Sequence, residues 1–191
     1  MIMKVLRASD YKQVPWKNDG GLTREICVQW HDESHAVWDW RISMAVVARS
    51  GPFSMFPGID RSIAVLEGRG LKLNLPHEHS VILDQSSAPF SFSGEAAVVC
   101  EVLEGPTTDL NIMTARKGFQ HRMQKMHCAK TSLIELPSGW NAIVANTELG
   151  LRHDELSFNL HRLDSATDLS GTIEVTPTSA GDIFLLNVTA V

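Results

Sequence analysis

The sequence predicts an all-β protein, a sandwich or small barrels of short antiparallel strands. Three observations predict it. The dominant hydrophobic period is two, turn signals set off short runs at roughly 8–12-residue spacing, and a helical i, i+3, i+4 stripe is missing. Each run follows from these in order along the chain.

From Val37 to Ala48 the even positions carry Trp38, Trp40, Ile42, Met44 and Val46, and the odd positions carry Asp39, Arg41, Ser43, Ala45 and Val47. One strand therefore places Arg41 and Ser43 together on the face opposite the tryptophans. Leu71, Leu73 and Leu75 alternate with Lys72 and Asn74, and Phe90 and Phe92 flank Ser91. Leu110, Ile112 and Thr114 oppose Asn111 and Met113, and Leu156, Phe158 and Leu160 oppose Ser157, Asn159 and His161. Turns are expected at Asn18–Gly21, Ser50–Pro52, Pro57–Asp60, Glu67–Gly70, Pro76–Ser80, Gly105–Asp109, Pro137–Gly139 and Pro177–Asp182. Arg116–Ala129 is the best helix candidate, and it lacks both a capping box and an apolar stripe. The polar, basic stretch Lys117–Met126 is expected to join two halves.

With 191 residues, 43% apolar and 20% charged, the chain has material for a sizeable core and a charged surface. A net charge of −5 without a Lys/Arg cluster excludes the basic face that nucleic acid or an anionic membrane needs. Cys27, Cys100 and Cys128 form no CxxC pair, which speaks against a disulfide scaffold and a thiolate zinc site. The first ten residues are too broken by charge for a secretory leader, and no later run approaches ~18 apolar residues. The expectation is a reduced, cytoplasmic protein.

Several segments follow in a characteristic order: Pro15-Trp16-Lys17-Asn18-Asp19-Gly20-Gly21-Leu22-Thr23-Arg24-Glu25-Ile26, then Trp40-Arg41-Ile42-Ser43-Met44-Ala45, then Gly51-Pro52-Phe53-Ser54-Met55-Phe56-Pro57-Gly58-Ile59-Asp60-Arg61. The hairpin Val65–Leu71, the run Phe90–Gly94 and the segment Leu103–Met113 complete the set. Together they resemble the HutD/Ves family, small bacterial proteins with a double cupin (bicupin) fold. The resemblance spans roughly the first 115 residues. Asp19 departs from it, standing where the family tends to have a third glycine. It implies two small antiparallel β-barrels with little helix, one half over residues 1–117 and the other over 118–191, with strands free to be shared between them. It also implies a role in sensing or limiting histidine catabolism by binding a pathway intermediate.

The chemistry is narrower. His77-Glu78-His79 has the His-x-His spacing that can share a metal on one strand. Pro76 and Ser80 bracket it as an exposed hairpin tip, so neither metal nor cofactor is expected. His31, His35, His121 and His127 read as loop or surface residues, and Cys27 and Cys100 as inert thiols in apolar strands. No nucleophile elbow, phosphate loop or dinucleotide fingerprint occurs.

What remains is the Arg41/Ser43 face. A guanidinium fork suits a carboxylate, and Asn18, Thr23, Ser54, Arg61 and Asn111 would orient it between apolar walls of Phe56, Phe92 and Met113. The bland alternative makes Arg41 a structural partner of Glu25 or Asp60, and Arg61 a turn cap or a partner of Asp109. The leading expectation is a binding or regulatory protein for a small carboxylate, formylglutamate- or urocanate-like, with its edge strands suited to homodimer formation. The competing one is a cupin enzyme, either a metal-dependent oxygenase or isomerase or a metal-free acid–base catalyst.

Overall fold

The computed structural model describes residues 3–16, 20–34, 36–77 and 79–191. The chain forms two compact units, one of residues 12–120 and one of residues 1–11 with 121–190. Among the described residues the helical content is a single 3-10 turn, Ala8–Asp10, and no helix is long and apolar enough to cross a membrane.

The unit of residues 12–120 holds two antiparallel sheets. Strands are numbered along the whole chain, starting from β1 (Lys4–Leu6). The six-stranded sheet runs β2 (Lys12–Pro15), β3 (Gly21–Trp30), β4 (Trp38–Val47), β11 (Thr107–Ala115), β6 (Ile59–Glu67) and β9 (Phe90–Ser93). The four-stranded sheet runs β5 (Gly51–Pro52), β10 (Val99–Val102), β7 (Leu71–Leu75) and β8 (His79–Leu83). Val47, Ile63 and Val65 from the first sheet pack with Leu71, Leu73, Leu83 and Cys100 from the second. Each such side chain removed from water contributes about 1.5–3 kcal/mol, which is what holds the sheets face to face.

The second unit repeats the plan. Its five-stranded sheet runs β1, β17 (Ser165–Leu169), β14 (Trp140–Ala145), β19 (Gly181–Ala190) and β12 (Phe119–Cys128). Its four-stranded sheet runs β13 (Ser132–Glu135), β18 (Thr172–Pro177), β15 (Leu149–His153) and β16 (Leu156–Leu160). Ile143, Ala166 and Ile183 of one sheet meet Leu149, Leu151, Ile173 and Val175 of the other. In both units the strands form paired sheets rather than one continuously hydrogen-bonded barrel.

The N-terminus joins the second unit for identifiable reasons. β1 pairs with β17 through Lys4↔Thr167 and Leu6↔Ser165. Arg7 Nη1 donates to Asp164 Oδ2 at 2.7 Å, and Tyr11 Oη donates to the Leu163 carbonyl at 2.9 Å. The sequence-based halves, 1–117 and 118–191, therefore differ from the observed units chiefly in these first eleven residues.

The expected linker Lys117–Met126 is a correction. Only the turn at Arg116–Gly118 is irregular, and Phe119–Cys128 is a ten-residue strand. It lies at the edge of its sheet with Gln120, Arg122 and Gln124 exposed, so its polar face reads as a linker. The other alternating runs fall on strands, with the 37–48 run observed as Trp38–Val47.

Candidate functional site

The inner face of the six-stranded sheet is built by cross-strand register. Arg41 is opposite Met113, Ser43 opposite Asn111 and Ala45 opposite Asp109. Across the other edge of β11, Met113 is opposite Arg61 and Asn111 opposite Ile63, and Arg61 in turn is opposite Phe92. Because side chains alternate, all of these point toward the four-stranded sheet, on the side of Val47, Ile63 and Val65. The opposite face, with Trp40, Ile42 and Met44, is buried as well.

Two irregularities tune this face. The register of β3 against β4 shifts between Glu25 and Cys27, leaving Glu25 opposite Ser43 and one step from Arg41. The register of β11 against β6 shifts between Thr108 and Asp109. Such bulges re-aim side chains beside binding sites.

Of this face, Arg41, Ser43, Ala45, Arg61, Asn111 and Met113 line a cavity of about 520 Å³ with Val14, Pro15, Trp16, Thr23, Pro52, Phe53, Ser54 and Phe56. Among the described lining residues, only Arg41 and Arg61 are ionisable. The walls combine apolar and aromatic side chains with the neutral polar groups of Thr23, Ser43, Ser54 and Asn111, and the fixed charge is positive, which selects for an anion.

The two arginines are held differently. Arg61 is 7% exposed, and its Nε and Nη2 donate to Asn111 Oδ1 at 2.9 and 2.6 Å. Its Cζ lies 4.6 Å from the Phe53 ring centroid and 5.2 Å from that of Phe92. Burial pulls its guanidinium down to about 10, against the attraction of Asp109, and it stays charged at neutral pH. Arg41 is half-buried, and its Nε lies 3.4 Å from Glu25 Oε2 without hydrogen-bond geometry. Among the described residues its fork makes no hydrogen bond. It is an ion pair from the side, not a bidentate clamp on Glu25.

Behind the wall lies Asp109, 1% exposed, whose Oδ1 accepts from Asn111 Nδ2 and whose Oδ2 has no hydrogen-bond partner. Burial pushes its carboxyl up to about 7, although Arg61 and the Asn111 hydrogen bond pull the other way. Asn111 thus fixes both neighbours at once, its oxygen on Arg61 and its amide on Asp109.

Eight of the ten sequence-based site residues reach the cavity: Thr23, Arg41, Ser43, Ser54, Phe56, Arg61, Asn111 and Met113. Phe92 does not line it and instead stacks behind Arg61, while Asn18 lies outside the described residues. Arg61 is no turn cap, and it is linked to Asp109 through Asn111, with Coulombic attraction between the two charges. Trp16 and Phe53 were not anticipated as wall residues, although the Pro15–Trp16 and Gly51–Phe56 segments are conspicuous in the sequence. Trp16 Nε1 donates to Thr23 Oγ1 at 2.8 Å, leaving the threonine hydroxyl hydrogen to donate elsewhere.

The His-x-His segment sits apart from this. His77 and His79 are exposed at the turn between β7 and β8, and Glu78 and His35 lie outside the described residues. Among the described residues no three His, Cys, Asp or Glu side chains come together as a metal site. His31 and His127 are exposed and face Asp39 and Asp182. Cys100 is buried and burial pushes its thiol up to about 12, whereas Cys27 is only half-buried.

The HutD family model matches residues 8–185. The chain belongs to the HutD family. Its curated relatives include an uncharacterised 21.2 kDa protein of the hutC 3′ region of Pseudomonas putida, 40% identical over 124 residues, or 64% of this chain and 63% of that protein. Protein Ves of Citrobacter koseri is 38% identical over 111 residues, 56% of each chain. The matched regions thus span less than two thirds of these relatives' length. Among solved structures, HutD from Pseudomonas fluorescens SBW25 superposes with a TM-score of 0.85 at 28% identity, covering 100% of both chains. A conserved protein of unknown function from Pseudomonas aeruginosa PAO1 gives a TM-score of 0.89 at 28% identity, covering 98% and 99%. A cupin 2 conserved barrel domain protein from Leptotrichia buccalis gives 0.60 at 12% identity, covering 93% and 96%, and shows the fold alone. The HutD-family chain is accordingly all-β with a double cupin fold.

Proposed function

We propose that this HutD-family chain is a non-enzymatic binding protein for a small carboxylate, formylglutamate- or urocanate-like, that serves as a sensor or regulator of histidine catabolism. The observation that carries this reading is Arg41, a guanidinium on the cavity wall whose fork makes no hydrogen bond among the described residues. A carboxylate matches that fork bidentately, with Thr23 and Ser43 as hydroxyl neighbours and aromatic walls to exclude water.

The relatives support the same direction. The P. fluorescens HutD structure is of a formate condition, and formate is the simplest carboxylate. The P. putida relative is encoded beside hutC. In this reading the protein works in the reducing cytoplasm, consistent with three free cysteines, and its edge strands serve a homodimer.

A calorimetric and thermal-shift screen of histidine-breakdown intermediates tests the proposal. A ligand at 100 times its Kd adds about 2.7 kcal/mol of stability. No response to any carboxylate would overturn it.

A further inference from the structure

We infer that the cavity takes up its anion together with a proton, and that Asp109, behind the cavity wall, is the group that holds it. The inference rests on the carboxylate reading above and adds a linkage to it.

The geometry is a three-residue chain across two strands. Arg61, in the wall, donates twice to Asn111 Oδ1, which fixes the amide and turns Asn111 Nδ2 toward Asp109 Oδ1. Asp109 is 1% exposed and does not line the cavity. Its Oδ2 is buried with no hydrogen-bond partner among the described residues, so its negative charge is poorly solvated. What sustains that charge is chiefly Arg61, one residue away.

An anion in the cavity competes for the same positive charge. The charged groups around Asp109 are Arg61 from β6, with Arg41 beside it from β4, and the Cys100 thiol from β10. Arg41 has Glu25 as its partner from β3, and Glu101 lies on the far side of Cys100. Cys100 stays protonated and Arg61 stays charged at neutral pH, whereas the buried Asp109 carboxyl, with one oxygen unpaired, is poised to change. Burial already places its carboxyl at about 7. A bound carboxylate offsets the pull of Arg61 and adds repulsion, raising Asp109 further. One proton then moves from solvent to the Asp109 carboxylate, giving the neutral acid. Because the bound-state value lies above the free one, affinity is full below the free value and falls as pH rises through and beyond it.

Isothermal calorimetry decides the matter with N-formylglutamate, which has no group titrating near neutral pH. The full chain is titrated at pH 7.5 in HEPES and in Tris, whose ionisation enthalpies differ. The expected result is a buffer-dependent heat equal to between about half and three quarters of a proton taken up per anion, with Kd rising toward tenfold per pH unit above neutrality. Asp109→Asn, checked for native melting, is expected to bind with no buffer dependence. The proton count on the native protein stands by itself should that variant fail to fold. Binding with identical heats in both buffers overturns the inference and leaves the carboxylate reading intact. No heat with N-formylglutamate, glutarate or formate overturns the carboxylate reading, and the inference with it.

Discussion

Arg61 gives two hydrogen bonds, from Nε at 2.9 Å and Nη2 at 2.6 Å, to one oxygen of Asn111. That single amide is the joint between a cavity-wall cation and a buried carboxyl, because its nitrogen is committed to Asp109. Asn111→Ala removes the side-chain hydrogen bonds that Asn111 makes to two buried charged groups, Arg61 and Asp109. We expect a loss of roughly 3 kcal/mol in urea denaturation, the range for orphaning buried charged groups. A loss under about 0.5 kcal/mol, inside the scatter of ordinary surface changes, would show that water replaces Asn111.

Asp109 also predicts a pH dependence of stability. Its folded value of about 7 lies above the ordinary 3.8 of an aspartate. The neutral form is therefore favoured by folding, and the contribution is complete below about pH 4 and is lost as pH rises through about 7. Asp109→Asn has no such loss. Its stability relative to the native chain should rise between pH 4.5 and 7.5, as read from denaturation midpoints at several pH values. A difference that stays flat would place the ionisation of Asp109 elsewhere.

Gly70 follows the hairpin turn before β7, at φ +115°, and a Cβ there would lie 2.3 Å from the Leu83 carbonyl oxygen. Gly70→Ala must strain the backbone and part β7 from the strand that follows it. A loss of about 2 kcal/mol or more is expected in thermal denaturation. Gly51 meets nothing within 4 Å, so Gly51→Ala serves as the control and should change little. Equal effects at the two positions would contradict the close approach at Gly70.

The sequence carried the fold and much of the site for a simple reason. Alternation over Trp38–Val47 assigns faces within one strand, and it puts Arg41 and Ser43 together without reference to any partner. It does not supply register. Arg41, Met113, Arg61 and Phe92 form a row across four strands separated by tens of residues, and only pairing in the sheet brings them level. The same lack hid the layering of the site. Asp109 was in view as a possible partner of Arg61, but its place one residue behind Arg61, joined through Asn111, depends on the pairing of β11 with β6. Strand β12 was misread because a sheet edge leaves one face wet, and polar alternation then looks like a linker.

The central claim is that Arg41 clamps a carboxylate, and Arg41→Lys tests it most directly. Lysine keeps the positive charge beside Glu25 but presents a point charge in place of a planar fork. Calorimetry with N-formylglutamate should show at least about a tenfold weaker Kd, roughly 1.4 kcal/mol, with the melting transition intact. Unchanged affinity in a natively folded Arg41→Lys protein would contradict the account.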